Sequence, residues 1–134
     1  ATTQYRQGLG DVASALREAV PGLTAIDKRE FGAFSCEAFV EWFVQRPSRD
    51  QLVIAGVESH ICVFQTALGA LERGLTPHVV ADAVSARSEA NWRIGLARME
   101  RMGATITSAE MALYEMLERA EGEAFRKVLA LVKA

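Results

Sequence analysis

The chain has 134 residues, of which 50% are hydrophobic and 24% are charged, and its formal net charge at pH 7 is −2. This length suits one domain, and the absence of any run of lysines and arginines predicts no nucleic-acid surface. No apolar run is long enough to cross a bilayer, so we predict no membrane contact. Two cysteines without a CxxC motif predict free thiols in a reducing compartment, the cytoplasm. The two histidines lack metal-binding spacing, and we predict neither a metal nor a cofactor.

The first third of the chain predicts short elements. Residues 1–4 resemble the end of a strand, and because the first residue is not Met we expect the later part of a longer protein. Asp11 is predicted to cap a short helix, and a short strand is predicted over residues 24–26. Ser35 is predicted to cap a helix over residues 36–45, whose broad aromatic stripe suggests a subunit contact. Residues 47–50 predict a turn.

The stretch over residues 51–74 organises the rest of the chain. Residues 52–57 are apolar or glycine, which predicts a central strand buried on both faces. After three polar residues the apolar positions fall three or four apart, which predicts a helix that Gly74 ends. Cys62 would then lie in the first helical turn at the carboxyl end of the strand, where open α/β sheets bind ligands.

A thiol at that place has two interpretations. The free N–H groups of a first helical turn and the helix dipole favour a thiolate, and the same N–H groups can hold a developing oxyanion. Alternatively, Cys62 packs in the core as a small hydrophobic residue, as free cysteines often do.

The remainder predicts alternating strands and helices. A buried strand is predicted over residues 77–82, and Asp82 at its end is either a polar site group or a carboxylate that caps loop N–H groups. Ser88 is predicted to cap a helix over residues 89–102, and a short strand over residues 104–106 follows. Thr107, Ser108, Ala109 and Glu110 form a capping box that begins a helix over residues 108–117, and a last helix is predicted over residues 123–132. This alternation predicts an α/β fold with a parallel sheet, in which the strand at residues 51–57 still needs a further neighbouring strand.

Several motifs resemble the isochorismatase-like cysteine hydrolases. Residues 56–63, GVESHICV, resemble that family's nucleophile turn, G-V-x-T-D-x-C-V. Residues 27–34, DKREFGAF, are similar to its K-x-x-F-S-A-F segment, and residues 79–85, VVADAVS, follow in the family's order. The opening TQYRQGLG resembles T-E-Q-Y-P-x-G-L-G of a subgroup with poorly defined substrates. The resemblance implies a parallel, Rossmann-like, isochorismatase-type three-layer sheet with helices on both faces, of which residues 1–134 are the later part without the first central strand.

The resemblance also implies catalytic roles. Cys62 would be the nucleophile and Lys28 the triad lysine. The peptide bond between Val57 and Glu58 would be cis, and the turn formed by Val57, Glu58 and Cys62 would provide the oxyanion hole. The family's third catalytic residue, an Asp at the end of the first strand, has no match here.

The implied function is hydrolysis of a small amide or related C–N substrate through a thioester. Phe31, Phe34 and His60 would line the substrate pocket, although plain core packing explains the two phenylalanines equally well. The metal-binding residues of nicotinamidases are absent, and a homo-oligomer is expected. The alternative is a non-catalytic protein of the same fold that acts as an assembly or interaction module.

Overall fold

A computed structural model describes residues 1–46 and 49–133, and within them five strands and seven α-helices alternate. The strands are β1 Thr2–Gln4, β2 Ile26–Lys28, β3 Gln51–Val57, β4 Thr76–Ser85 and β5 Thr105–Thr107. The helices are α1 Arg6–Leu9, α2 Ser14–Ala19, α3 Glu37–Val44, α4 Phe64–Leu71, α5 Glu89–Arg101, α6 Ala109–Leu117 and α7 Gly122–Val132. A 3₁₀ turn covers Ala33–Ser35, and a π-helical turn covers Ser59–Val63. The predicted turn at residues 47–50 lies partly outside the described residues.

All the strand pairs are parallel, so the predicted α/β class is confirmed. β1 pairs with β2, with Gln4 opposite Lys28, and β3, β4 and β5 form a second sheet in that order. The register between β3 and β4 shifts between Ile54 and Gly56. Because parallel strands end at the same edge, the carboxyl ends of β1 and β2 meet at one place.

The prediction that β3 is buried on both faces is wrong. β3 lies at the edge of its sheet, and within the described residues it pairs with β4 alone. Val53 is 54% exposed and Val57 is 67% exposed, whereas Ile54 is buried. An apolar run shows which residues favour burial, but burial itself depends on neighbours, and here β1 and β2 form a separate sheet. A further neighbouring strand for β3 stays a prediction.

The core fills the space between the three-stranded sheet and helices α4 and α5. Its buried members are Ile54, Val63, Ala67, Val79, Val84, Met99 and Ala104. Each large apolar side chain that is fully buried in this way contributes about 1.5–3 kcal/mol to folding. Since Val63 and Ala67 lie directly after the turn that contains Cys62, the core fixes the base of that turn. Within the described residues, no helix has both the length and the apolar character needed to span a bilayer.

Local hydrogen bonds decide where the helices begin. Ser88 Oγ accepts a hydrogen bond from Asn91 N at 3.3 Å and Ser108 Oγ accepts one from Met111 N at 3.1 Å, so these two caps are confirmed. The cap predicted for Asp11 is wrong, because Arg17 donates to both oxygens of that carboxylate and α2 begins after Ala13.

Two boundaries in the first third also differ from the prediction. Ser35 belongs to the 3₁₀ turn, and Cys36 is the N-cap residue of α3. β2 runs two residues later than the strand predicted over residues 24–26, and this shift makes Lys28 its last residue.

Candidate active site

The corner that follows β3 holds Cys62 at the carboxyl edge of the sheet. The peptide bond between Val57 and Glu58 is cis. The Glu58 carbonyl accepts hydrogen bonds from Ile61 N at 3.1 Å and from Val63 N at 3.2 Å, which closes a π-helical turn instead of the predicted first turn of an α-helix. Because this turn continues directly into α4, its first N–H groups have no intrahelical partners.

Helix α5 supports this corner from behind through a glycine. A Cβ atom on Gly95 would lie 3.0 Å from both His60 N and the Ser59 carbonyl carbon. Ser59 itself has no exposed surface. The backbone of α5 therefore contacts the backbone of the turn directly, and a side chain at position 95 would displace it.

The sulfur of Cys62 contacts a residue from the other sheet. Cys62 Sγ donates a hydrogen bond to Gln4 Oε1 at 3.8 Å, and Gln4 is the last residue of β1. Gln4 Nε2 donates to the Arg29 carbonyl at 2.7 Å, which fixes the orientation of the amide and directs its oxygen at the thiol. Because an amide oxygen only accepts hydrogen bonds, this contact exists while the sulfur carries its proton.

Lys28 is buried and is linked to Cys62 through Gln4. Lys28 Nζ donates to Gln4 Oε1 at 2.5 Å and to the carbonyls of Glu30 and Phe31, each at 2.9 Å. An ammonium group has three donors, so all of them are engaged. The structure thus brings the two residues predicted as catalytic to one place, with the Gln4 amide oxygen between them.

Sequence reasoning did not assign a role to Gln4. Its position was predictable in part, since it ends β1 and lies opposite Lys28 in parallel register. The contact with Cys62 was not predictable, because the two residues are 58 positions apart and belong to different sheets.

Asp27 joins the ends of β1 and β2 beside Gln4. Its carboxylate accepts hydrogen bonds from Arg6 N at 2.9 Å and from Thr3 Oγ1 at 3.0 Å. The backbone hydrogen bond from Arg6 is the largest cause that lowers the pKa of Asp27 below its ordinary value, and Thr3, Arg6 and Arg29 lower that pKa further. The ionised carboxylate therefore stabilises the turn that follows Gln4.

The predicted pocket residues lie in different environments. Phe31 is half exposed in the loop whose carbonyls hold Lys28. Phe34 is buried, and its ring packs edge-on against those of Phe39 and Phe43, each with centroids 5.2 Å away. His60 Nε2 lies 3.8 Å from Glu58 Oε2. Packing alone accounts for Phe34, whereas Phe31 and His60 are partly accessible.

Asp82 has the second of its two predicted roles, that of a carboxylate that caps backbone N–H groups. Its Oδ1 accepts a hydrogen bond from Ala109 N at 2.8 Å, at the beginning of α6. A carboxylate is favoured there by the free N–H groups and the helix dipole. In residues 1–46 and 49–133, no group of three or more His, Cys, Asp and Glu side chains is placed to hold a metal ion.

Comparison with known proteins identifies the family. The isochorismatase domain matches residues 6–111. The chain belongs to the isochorismatase family, so the resemblance seen in its motifs is confirmed.

Three relatives show how far the similarity extends. The secreted isochorismatase effector Isc1 of Phytophthora sojae is 34% identical over 98% of this chain and 64% of its own length. The MAR1 ribonuclease of Caenorhabditis elegans is 34% identical with a TM-score of 0.87, over 99% of this chain and 68% of that chain. The YcaC gene product of Escherichia coli is 28% identical with a TM-score of 0.86, over 97% of this chain and 63% of that chain. It is described as an octameric hydrolase of unknown specificity. The chain thus spans about two thirds of the length of these relatives.

Proposed function

We propose that this chain is a hydrolase that uses Cys62 to cleave a small amide or related C–N substrate through a thioester. The main observation behind the proposal is that Cys62 and Lys28 both donate hydrogen bonds to Gln4 at the carboxyl edge of the strands. Membership of the isochorismatase family and similarity to a protein described as a hydrolase support hydrolysis as the reaction class.

In the proposed reaction, the Cys62 sulfur attacks the substrate carbonyl carbon. The carbonyl oxygen becomes an oxyanion that accepts hydrogen bonds from the Glu58 and Cys62 N–H groups, which act where charge develops. The tetrahedral intermediate expels the amine, which leaves with the proton that the thiol gave up. Water then cleaves the thioester and releases the acid and the free thiol.

The surrounding residues have supporting roles in this proposal. Gln4 orients the S–H group through its amide oxygen, and Lys28 holds Gln4 in position. Phe31 and His60 form accessible walls of the pocket, and Phe34 packs among aromatic side chains. No cofactor is required, because a thiol and backbone amides suffice for acyl transfer.

Trapping of the acylated cysteine tests the proposal. We would incubate the protein with a panel of small amides, quench in acid and identify acylated peptides by mass spectrometry. The proposal predicts an acyl group on Cys62, and loss of both adduct and ammonia release in Cys62→Ala. Cys36→Ala is the matched control and should keep both. Undiminished ammonia release by Cys62→Ala would refute the proposal.

A non-catalytic assembly module is the second candidate. Within the described residues, the Cys62 sulfur hydrogen-bonds to Gln4 alone, and no carboxylate that could take its proton is bonded to it. A folded chain that forms no adduct with any amide, and releases no ammonia, would support this candidate. Since YcaC is described as octameric, we propose a homo-oligomer under either function, which sedimentation measures directly.

Two further points follow from the relatives. One of them is named a ribonuclease, so the substrate panel should include RNA, although the net charge of −2 gives no support for an RNA surface. Another is named a secreted effector, whereas we propose a reducing compartment for this chain, in which thiols such as Cys36 and Cys62 stay free.

A further inference from the structure

An ion pair joins the nucleophile corner to the loop after β4. Glu58 is the first residue after the cis bond, and its Oε1 lies 2.8 Å from Arg87 Nε, while His60 Nε2 lies 3.8 Å from Oε2. The Glu58 side chain is 20% exposed and the Arg87 side chain is 81% exposed. Arg87 directly precedes Ser88, the N-cap of α5, so the backbone from which its side chain extends is fixed.

This pair contributes little to stability because one partner is almost fully exposed. Its interest for the site is therefore electrostatic rather than structural. Glu58 supplies one of the N–H groups of the proposed oxyanion hole, so its carboxylate belongs to the same residue as a group that would contact the reacting oxygen. An unpaired negative charge there would oppose both the Cys62 thiolate and the oxyanion.

We propose that Arg87 is a positioning residue that acts through Glu58: it neutralises the carboxylate and so favours the anionic states of the corner. This inference rests on the proposed function, in which Cys62 is the nucleophile. It explains why an acidic residue is tolerated at the start of a turn that must hold negative charge.

Other charged groups around the corner do not replace Arg87. Lys28, at the end of β2, keeps its positive charge near Cys62, but it donates to Gln4 and two carbonyls and does not pair with the Glu58 carboxylate. Arg98, on α5, lies over the Phe64 ring with its Cζ atom 4.4 Å from the ring centroid. His60, within the turn, is farther from the Glu58 carboxylate than Arg87 is.

The pH dependence of Cys62 alkylation tests the inference. We would measure the rate with iodoacetamide from pH 5 to 9 in the parent chain and in Arg87→Ala, Arg87→Lys and Arg93→Ala, with mass spectrometry resolving Cys62 from Cys36. Arg93 is the matched control, because its Nη2 pairs with Glu89 Oε1 at 2.6 Å on the exposed surface of α5. Arg87→Ala should move the pH of half-maximal rate upwards by about 0.3 unit, which is the size expected for loss of one exposed, screened charge. Arg87→Lys should restore the parent profile, and Arg93→Ala should leave it unchanged.

The double variant Glu58→Gln, Arg87→Ala separates this role from a structural one. With no carboxylate to neutralise, its profile should return to that of the parent. A shift that persists in the double variant, or an Arg87→Ala profile equal to that of Arg93→Ala, would overturn the inference and leave the proposed function intact. If Cys62 in the parent reacted no faster than Cys36, both the proposed function and this inference would fail.

Discussion

The two cysteines of this chain occupy similar places in the backbone and different chemical surroundings. Cys36 is the N-cap of α3, and Cys62 lies in the turn that leads into α4. Cys36 is 6% exposed and lies two residues after Phe34, whose ring packs among aromatic side chains. Cys62 is partly exposed and contacts the Gln4 amide. The beginning of a helix is therefore insufficient to define a nucleophile. What distinguishes Cys62 is the polar group that another strand brings to it.

That difference depends on a chain of contacts across the two sheets. Asp27 holds the turn after β1, Lys28 holds the Gln4 amide, and Gln4 reaches the sulfur. In the Cys36 environment, Cys36 N donates to the Ala33 carbonyl, and among the described residues no side chain hydrogen-bonds to the Cys36 sulfur. Variants that break one environment and leave the other intact test the comparison.

Replacement of Lys28 should have the largest effect on stability. Lys28→Met leaves Gln4 Oε1 and two carbonyls without their donor, and the relief of a buried ammonium offsets part of this loss. We expect the free energy of unfolding to fall by about 2 kcal/mol. Urea unfolding followed by circular dichroism measures it. The rate of Cys62 alkylation should change, whereas the accessibility of Cys36 in the folded state should stay the same. An unchanged free energy of unfolding would show that the ammonium does not stabilise the carboxyl ends of β1 and β2.

Two glycines allow each cysteine environment to be disturbed separately. A Cβ on Gly95 would press on the backbone of the Cys62 turn at 3.0 Å, and one on Gly69 would lie 2.8 Å from Phe34 Cβ, next to the Cys36 region. We expect each Gly→Ala variant to lose about 1 kcal/mol, because overpacking costs more than the gain in helix propensity. Gly95→Ala should slow Cys62 alkylation, and Gly69→Ala should not. Equal effects of both variants on Cys62 would show that the two regions are not independent.

Asp27 gives the smallest expected effect, visible in the pH dependence of stability. The pKa of Asp27 in the folded state lies below the ordinary value of 3.8, so its contribution to stability is complete above that value and is lost as the pH falls through the lower folded-state pKa. Asp27→Asn should therefore be less stable than the parent at pH 6, with the two converging towards pH 2. Denaturant titrations at several pH values measure the difference. A gap that stayed constant down to pH 2 would rule out the ionised carboxylate as its source.

The local elements could be predicted from the sequence where short-range chemistry determines them. The Ser88 and Ser108 caps and the helices that follow them depend on residues only three positions apart. The strand that leads to Cys62 was located correctly, but its burial was not, because burial depends on which other strand lies beside it. The prediction that Asp11 caps a helix was wrong because Arg17 binds that carboxylate.

The sequence could nominate residues for the candidate site, but it could not show how they are connected. Motif resemblance selected Cys62 and Lys28, yet it did not show that Gln4 lies between them or that the Lys28 ammonium is fully engaged. The Gln4–Lys28 contact joins residues 24 positions apart through the pairing of β1 with β2, and the Gln4–Cys62 contact joins residues 58 positions apart through the packing of the two sheets.

The relative reactivity of the two thiols tests the central claim most directly. We would treat the folded chain with limiting iodoacetamide at pH 7 and quantify modified Cys62 and Cys36 peptides over time. The structure predicts that Cys62 is alkylated at least about ten times faster, because Cys62 is partly exposed and lies at an anion-stabilising turn, whereas Cys36 is buried. Equal rates in the folded protein would contradict the assignment of Cys62 as a nucleophile.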